Sequence, residues 1–428
     1  MGRAVVARAR FDNNGRAMRI LMVQTYYFKR GGDSAYMLAL SKLLEEKGHE
    51  VVPFAMAHPN NLPSPYSKYF VSEIDFPELL RDSSPRAALK VAARSIYNAE
   101  ARRKIAALVD EVKPDLAHFH NIHAHLTASI IAPLHKRRIP IVWTLHDYRL
   151  VCPNSSFLSA GDVCERCLPN RFHEAVLRRC KKGSVAASFV AMLTTLYDRM
   201  IRLPRRIDRF IAPSEFLRSK LIEGGFDPSR IERIPNFVDL SAYAGLPESD
   251  YFCYLGRLSY EKGLDVLIRA MAKLDEGRLL IVGSGPEEYD LKMLAADLGV
   301  RRVEFAGFRS GSKLARMLAE AQFVVLPSRW YENQPLSVME AFASSKAVVA
   351  SRIGGIPEMV EDGVNGLLFP MADIDALAGC LGRMLGDRGV REEMGRRARE
   401  KAERLYDTET HYARIERLYR QVIAERRT

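Results

Sequence analysis

"MRILMVQTYYFKRGGDSAYMLALSKLLEEKGHEVVPFAM", residues 18–56, decides the fold class. Its opening "MRILMVQTYY" reads as a strand. A loop carrying Gly31 and Gly32, a helix and a second strand follow, which makes a βαβ unit and predicts a parallel sheet. Outward from it the alternation continues, with "PDLAHFHN", "IPIVWTLHD" and "RFIAPSE" strand-like and helices between them. Near Pro235 the chain becomes less regular, through "IPNFVDL" to about Asp250. The alternation then restarts with "YFCYLGRL", "GLDVLIRAMAKL", "RLLIVGSG", "EYDLKMLAADLG", "VEFAGF", "SKLARMLAEA" and "QFVVLPS". Two such series predict an α/β protein of two doubly wound, Rossmann-like domains, with the ligand site in the cleft at the carboxyl ends of their strands.

The predicted boundaries are a disordered tail or upstream start at 1–17, an N-terminal domain at 18–245 and a C-terminal domain at 246–400. A terminal helix at 401–428 can cross back to the first domain. Length agrees, since 428 residues exceed one comfortable core. A content of 47% hydrophobic and 27% charged residues is globular. The net charge of +12 favours anionic partners, whether phosphates, nucleic acid or an acidic membrane surface. The first residues lack the apolar core of a signal peptide. The most apolar stretch, "SVAASFVAMLTTLY", is shorter than a membrane span and is flanked by Lys181, Lys182, Asp198 and Arg199. A cytoplasmic protein without a transmembrane helix is expected.

A second stretch, "SRWYENQPLSVMEAFASSKAVVAS" from Ser328, raises the functional question. "QFVVLPS" before it is a buried strand, Pro335 suits the first turn of a helix, and Leu336, Val338, Met339, Ala341 and Phe342 continue it. Glu332 then lies in the loop and Glu340 in the helix, about 12 Å apart if every step were helical. Between them are the unpaired N–H groups of the helix start, which attract phosphate. A ligand with a central phosphate and hydroxyl-bearing groups on both sides fits, and a nucleotide sugar has that shape. The competing reading is a capping box, because Ser337 and Glu340 match S-x-x-E.

Other segments add candidates. Gly31-Gly32 lets backbone approach a phosphate, or is simply a tight turn. The absence of G-x-G-x-x-G counts against a dinucleotide cofactor. In "LGRLSYEKGLDVLI", Arg257 at a strand end and Lys262 before a helix could neutralise a diphosphate, or be two solvated charges. His146 and Asp147 end another strand, where an imidazole reaches a cleft or is satisfied by nearby backbone. "HFHNIHAH", with His118, His120, His123 and His125, reads as a loop lining the cleft in preference to a metal site.

Taken in order, these segments from Met18 onward resemble the retaining glycosyltransferases of family four, which have the GT-B fold. The carriers are the Gly31-Gly32 loop, His146-Asp147, "GRLSYEKG", "VGSGP", "FAGF", "ENQPLSVME" and "GGIPEMVEDGVNGLLF". The resemblance implies that Glu332 contacts the transferred sugar and Glu340 the ribose. It implies that Arg257 and Lys262 hold the diphosphate, helped by backbone at Gly32, Leu336 and Ser337, within a donor segment that includes Asn333, Gln334 and Pro335. Backbone near Gly307 and Phe308 would meet the base, and His146 would lie beside the sugar near the acceptor. It further implies a UDP- or GDP-sugar donor, a glycan or lipid-linked acceptor, and a role in bacterial cell-surface polysaccharide synthesis. No D-x-D motif is evident near the donor segment, so chemistry without a catalytic metal is expected. A sugar-nucleotide epimerase or hydrolase, or an inactive GT-B binding subunit, are the alternatives.

Two features go beyond that pattern. Cys152, Cys164, Cys167 and Cys180 lie in an insertion at 152–180, whose single C-x-x-C suggests structural zinc, with an iron–sulfur cluster or plain free cysteines as alternatives. A nucleic-acid partner is not expected, because no recognition helix or aromatic-basic platform is apparent. After the insertion, basic residues bracket the apolar segment near Phe189, which reads either as peripheral contact with an anionic membrane or as a buried helix with solvated ends.

Overall fold

The computed structural model describes residues 17–73, 92–243 and 246–427. The expectation for the tail at 1–17 thus lies outside the described residues, Ala17 excepted.

Each series folds into a six-stranded, wholly parallel sheet. The first contains β1 (Arg19–Val23), β2 (Glu50–Phe54), β3 (Leu116–Phe119), β4 (Ile141–Thr144), β7 (Arg209–Ala212) and β8 (Ile231–Arg233), in the order β2-β1-β3-β4-β7-β8. The second contains β9 (Tyr251–Leu255), β10 (Arg278–Val282), β11 (Val303–Gly307), β12 (Val324–Leu326), β13 (Val348–Ser351) and β14 (Gly366–Phe369), in the order β11-β10-β9-β12-β13-β14. Helices cover both faces of each sheet, so strands such as "RILMV" and "RLLIV" are apolar throughout and do not alternate. In the insertion β5 (Leu158–Ser159) and β6 (Asp162–Val163) form a small antiparallel pair.

Strand order reverses between β1 and β3 in one sheet and between β9 and β12 in the other. Crossover helices diverge at such points and leave a crevice at the strand ends. The loops there are those carrying Gly31-Gly32 after β1, Arg257 after β9 and Glu332 after β12.

The chain passes between domains twice. The last helix, Thr408–Arg427, leaves the second domain and lies on the first. Ile415, Leu418, Tyr419 and Val422 follow helical spacing and share one buried cluster with Met18, Ile20, Met22 and Leu40. The preceding helix, Arg388–Leu405, packs against Leu336–Ala343 of the second domain. Among the described residues no helix is long and apolar enough to cross a membrane.

Candidate active site

Glu332 is buried in the loop after β12. Its Oε1 accepts from Lys262 Nζ at 2.6 Å and from Ser328 Oγ at 2.7 Å. Burial pushes its carboxyl up, but the Lys262 ammonium and these hydrogen bonds outweigh that and hold it below the ordinary carboxylate value. The pairing depends on Gly263, at φ +68°, where a Cβ would sit 2.0 Å from the Pro327 carbonyl oxygen. Only glycine lets the Lys262 turn press against the end of β12. The ammonium also lies 4.9 Å over the Trp330 ring.

The helix Leu336–Ala343 starts directly after this loop, with Pro335 as its N-cap. Pro335 therefore sits one position earlier than its expected place in the first turn. No side chain caps this helix start, so the S-x-x-E capping box does not form. Ser337 leaves Glu340 alone, and Glu340 instead accepts from Tyr243 Oη at 3.2 Å. Burial raises the Glu340 carboxyl, while Tyr243 and the nearby Lys29 of the first domain pull it down. The N–H groups of Leu336 and Ser337 thus lie between the two carboxylates. The Gly31-Gly32 loop closes over them from the first domain, and a Cβ on Gly32 would lie 3.5 Å from Leu336 Cδ1. Arg257 is exposed at the end of β9, and its guanidinium has no ion-pair partner among the described residues. Gly307 closes β11 at φ +71°, and the neighbouring Phe308 ring is 67% exposed, an open face beyond the strand ends.

Asn333 and Gln334 bridge the two domains. Asn333 Oδ1 accepts from Ser214 Oγ at 2.6 Å and its Nδ2 donates to the Leu145 carbonyl at 3.3 Å, while Gln334 Oε1 accepts from the Asn236 N–H at 2.6 Å. Both side chains pin the second domain to the first, and Asn333 reaches the residue beside His146.

Sequence reasoning missed Glu358. Its carboxylate accepts the N–H groups of Glu215 and Phe216 at 2.8 and 2.6 Å, capping the helix Glu215–Glu223 of the opposite domain. The only signal in the sequence is "GGIPE", whose glutamate has no local pattern to mark it as a cap for a helix in the other domain. Its glycines matter too, since a Cβ on Gly355 would fall 2.0 Å from the Asn333 carbonyl oxygen.

His146 follows β4, half-buried. Its Nε2 lies 3.0 Å from His120 Nδ1, and His120 Nε2 lies 3.0 Å from the Met22 sulfur. Burial holds both imidazoles below their ordinary range, so both are neutral near pH 7. A thioether sulfur can only accept. His120 Nε2 therefore carries the proton, His120 Nδ1 is bare, and His146 Nε2–H donates to it. His146 is left with an unprotonated Nδ1, an acceptor. His118 and His120 are buried at the end of β3 and belong to the core, not to a loop lining the cleft.

The four cysteines of the insertion lie near one another, with Cys167 in electrostatic reach of Cys152, Cys164 and Cys180. All four thiols of the insertion are free, and among the described residues no three His, Cys, Asp or Glu side chains are arranged to hold a metal ion. Cys152 and Cys167 are buried, the backbone N–H groups of Asn154, Ser155, Ser156 and Phe157 approach the Cys152 sulfur, and burial, then the neighbouring Cys152, Cys180 and Cys164, push the Cys167 thiol up to about 12.

Two facing Rossmann-like domains with a site between their switch points constitute the GT-B fold of glycosyltransferases. Residues 30–242 match the model described as Glycosyltransferase Family 4, and residues 243–401 match that described as Glycosyl transferases group 1. The chain belongs to this family of glycosyltransferases. It is 28% identical over 419 residues to the phosphatidyl-myo-inositol mannosyltransferase of Mycolicibacterium smegmatis, covering 95% of this chain and 94% of that one. Its fold matches a sucrose-phosphate synthase from Thermosynechococcus elongatus with a TM-score of 0.70 at 20% identity, over 95% of this chain and 100% of the other. It also matches HepE from Anabaena, solved in complex with UDP and glucose, with a TM-score of 0.66 at 20% identity, over 94% and 100%.

Proposed function

We propose that this protein is a retaining glycosyltransferase that moves a hexose from a UDP- or GDP-sugar to a glycan or lipid-linked acceptor in polysaccharide synthesis. The observation that carries this reading is the uncapped helix start at Leu336 and Ser337, flanked by Glu332 on one side and Glu340 on the other. The diphosphate lies on those N–H groups, closed over by Gly31-Gly32 and neutralised by Arg257 and Lys262. Glu340 accepts from the ribose hydroxyls, the base lies toward Gly307 and Phe308, and Glu332 accepts from the sugar. His146 presents a bare Nδ1 to a hydroxyl beside the reacting carbon.

The bond between the anomeric carbon and the diphosphate oxygen breaks first, with positive charge developing on the sugar ring. The acceptor hydroxyl enters from the same face, and its proton passes to the departing phosphate oxygen. Positioning and stabilisation of the leaving charge supply the rate. Arg257, Lys262 and the helix start provide that charge from the protein itself, so a catalytic metal is not needed.

Release of nucleoside diphosphate from a panel of UDP-, GDP- and ADP-sugars, with and without EDTA, tests this. Selective release from one donor, increased by acceptor and unchanged by EDTA, is expected. Abolition by EDTA would overturn the metal-free chemistry, and consumption indifferent to any acceptor would favour a hydrolase or epimerase.

A further inference from the structure

The helix Val185–Met200 that follows the cysteine segment is amphipathic the wrong way round. Its buried face carries Ser188, Thr194, Thr195 and Asp198, whereas Val185, Phe189, Leu196 and Met200 are 42–74% exposed. At 100° per residue these four fall within an arc of about 60°, a continuous apolar stripe. Leu177, on the short helix packed beside it, adds a further side chain at 72% exposure. A soluble helix presents the opposite pattern, and an exposed stripe of this kind marks an interaction surface. It also corrects the buried-helix alternative.

The polar side is a built feature. Thr194 and Thr195 return their hydroxyls to the Val190 and Ala191 carbonyls at 2.9 and 3.0 Å, and Ser188 accepts from the Lys181 N–H at 2.9 Å. Asp198 is buried near Arg149 and Arg199, and Arg149 also donates to the Ala191 carbonyl at 3.3 Å. Arg149 and Lys181 thereby tie the inward face to segments outside the helix, while the two threonine hydroxyls satisfy themselves on its own carbonyls.

Charge selects the occupant. Between Arg178 and Arg206 the chain carries eight cations and a single acid, the buried Asp198. Arg179 and Lys182 are exposed at one end of the stripe, and Arg202, Arg205 and Arg206 at the other, none ion-paired among the described residues. An apolar stripe bracketed at both ends by exposed cations matches a bilayer with anionic headgroups, whose acyl boundary takes the stripe and whose phosphates take the ends.

We propose that the Val185–Met200 face docks this protein on an anionic membrane surface. Arg149 ties the helix to the strand end carrying His146 and Asp147, and Lys181 lies near Asp147, so docking holds the acceptor side of the cleft against the bilayer. The acceptor is then a sugar or polyol carried on a lipid, a conclusion that rests on the transferase reading. The docking itself does not.

The test is co-sedimentation of the full chain with vesicles of phosphatidylcholine alone and of phosphatidylcholine mixed equally with phosphatidylglycerol. Binding to the anionic vesicles only, weakened by high salt, is expected. Phe189→Asp with Met200→Asp should lower it at least about tenfold while leaving the melting temperature and donor-dependent release of nucleoside diphosphate unchanged. A charge variant, Arg179→Ser with Lys182→Ser and Arg205→Ser, should weaken binding to anionic vesicles without exposing or removing any apolar side chain. Equal sedimentation of all variants, or none of the wild type, would overturn the proposal. So would a wild-type dimer that the aspartate variant dissociates, because the stripe would then be covered by a second copy. Failure of docking with donor turnover intact would leave the transferase reading standing.

Discussion

Glu332 and Glu340 are chemically distinct. Glu332 is charged and locked by Lys262 and Ser328, whereas Glu340 is drawn toward neutrality by burial and has one Tyr243 partner. Glu332→Gln keeps the shape but removes the charge that faces the sugar in the proposed donor pose, and turnover should fall by roughly 10²–10³-fold, the scale for loss of one preorganised electrostatic contact. His120 sets the tautomer of His146. His120→Leu deletes the acceptor for His146 Nε2–H and should lower kcat roughly tenfold with KM little changed, whereas His120→Asn offers a replacement oxygen and should restore most of it. The order of Arg257, Lys262, Glu332 and Glu340 was legible from spacing and resemblance. The work of Asn333 and Gln334 was not, because their partners Ser214, Leu145 and Asn236 lie about a hundred or more residues away, and no local pattern reveals a contact between domains.

At the scale of elements, strand-to-helix alternation was readable because strands covered on both faces are apolar throughout. Less readable was what each glycine permits. Gly263→Ala would place a left-handed conformation and a methyl group against the Pro327 carbonyl, costing about 2 kcal/mol or more and parting Lys262 from Glu332. A lowered melting temperature together with strongly reduced turnover is expected, measured by calorimetry and donor release. The S-x-x-E pattern misled for a related reason. A capping box needs its serine at the N-cap, and Pro335 occupies that place, which leaves Ser337 inside the helix and Glu340 facing the cleft. The cysteine spacing did foretell proximity, since Cys152, Cys164 and Cys180 all neighbour Cys167.

Across the whole molecule, the Thr408–Arg427 helix joins the first domain's core through a row of buried imidazoles and phenols. His118 Nδ1 lies 2.5 Å from Tyr419 Oη, and His411 Nε2 lies 3.0 Å from Tyr36 Oη. Burial lowers both imidazoles to about 3. Between the ordinary value of 6.5 and that value the unfolded chain binds more protons, so stability is full above pH 6.5 and declines as pH falls through the window. Each histidine should remove roughly 2 kcal/mol between pH 7 and pH 5, and His411→Asn should flatten the acid limb of a melting-temperature profile. In the proposed pose one donor spans both carboxylates. The most direct test of this is calorimetric titration of wild type, Glu340→Ala and Glu332→Ala with UDP, GDP and ADP, and with the sugar nucleotide of whichever binds. Glu340→Ala should weaken the nucleoside diphosphate and the sugar nucleotide alike. Glu332→Ala should weaken only the sugar nucleotide, and binding of the bare diphosphate should hold or tighten as Lys262 is released to it. Equal losses in both variants for both ligands would rule out a donor shared between the two carboxylates.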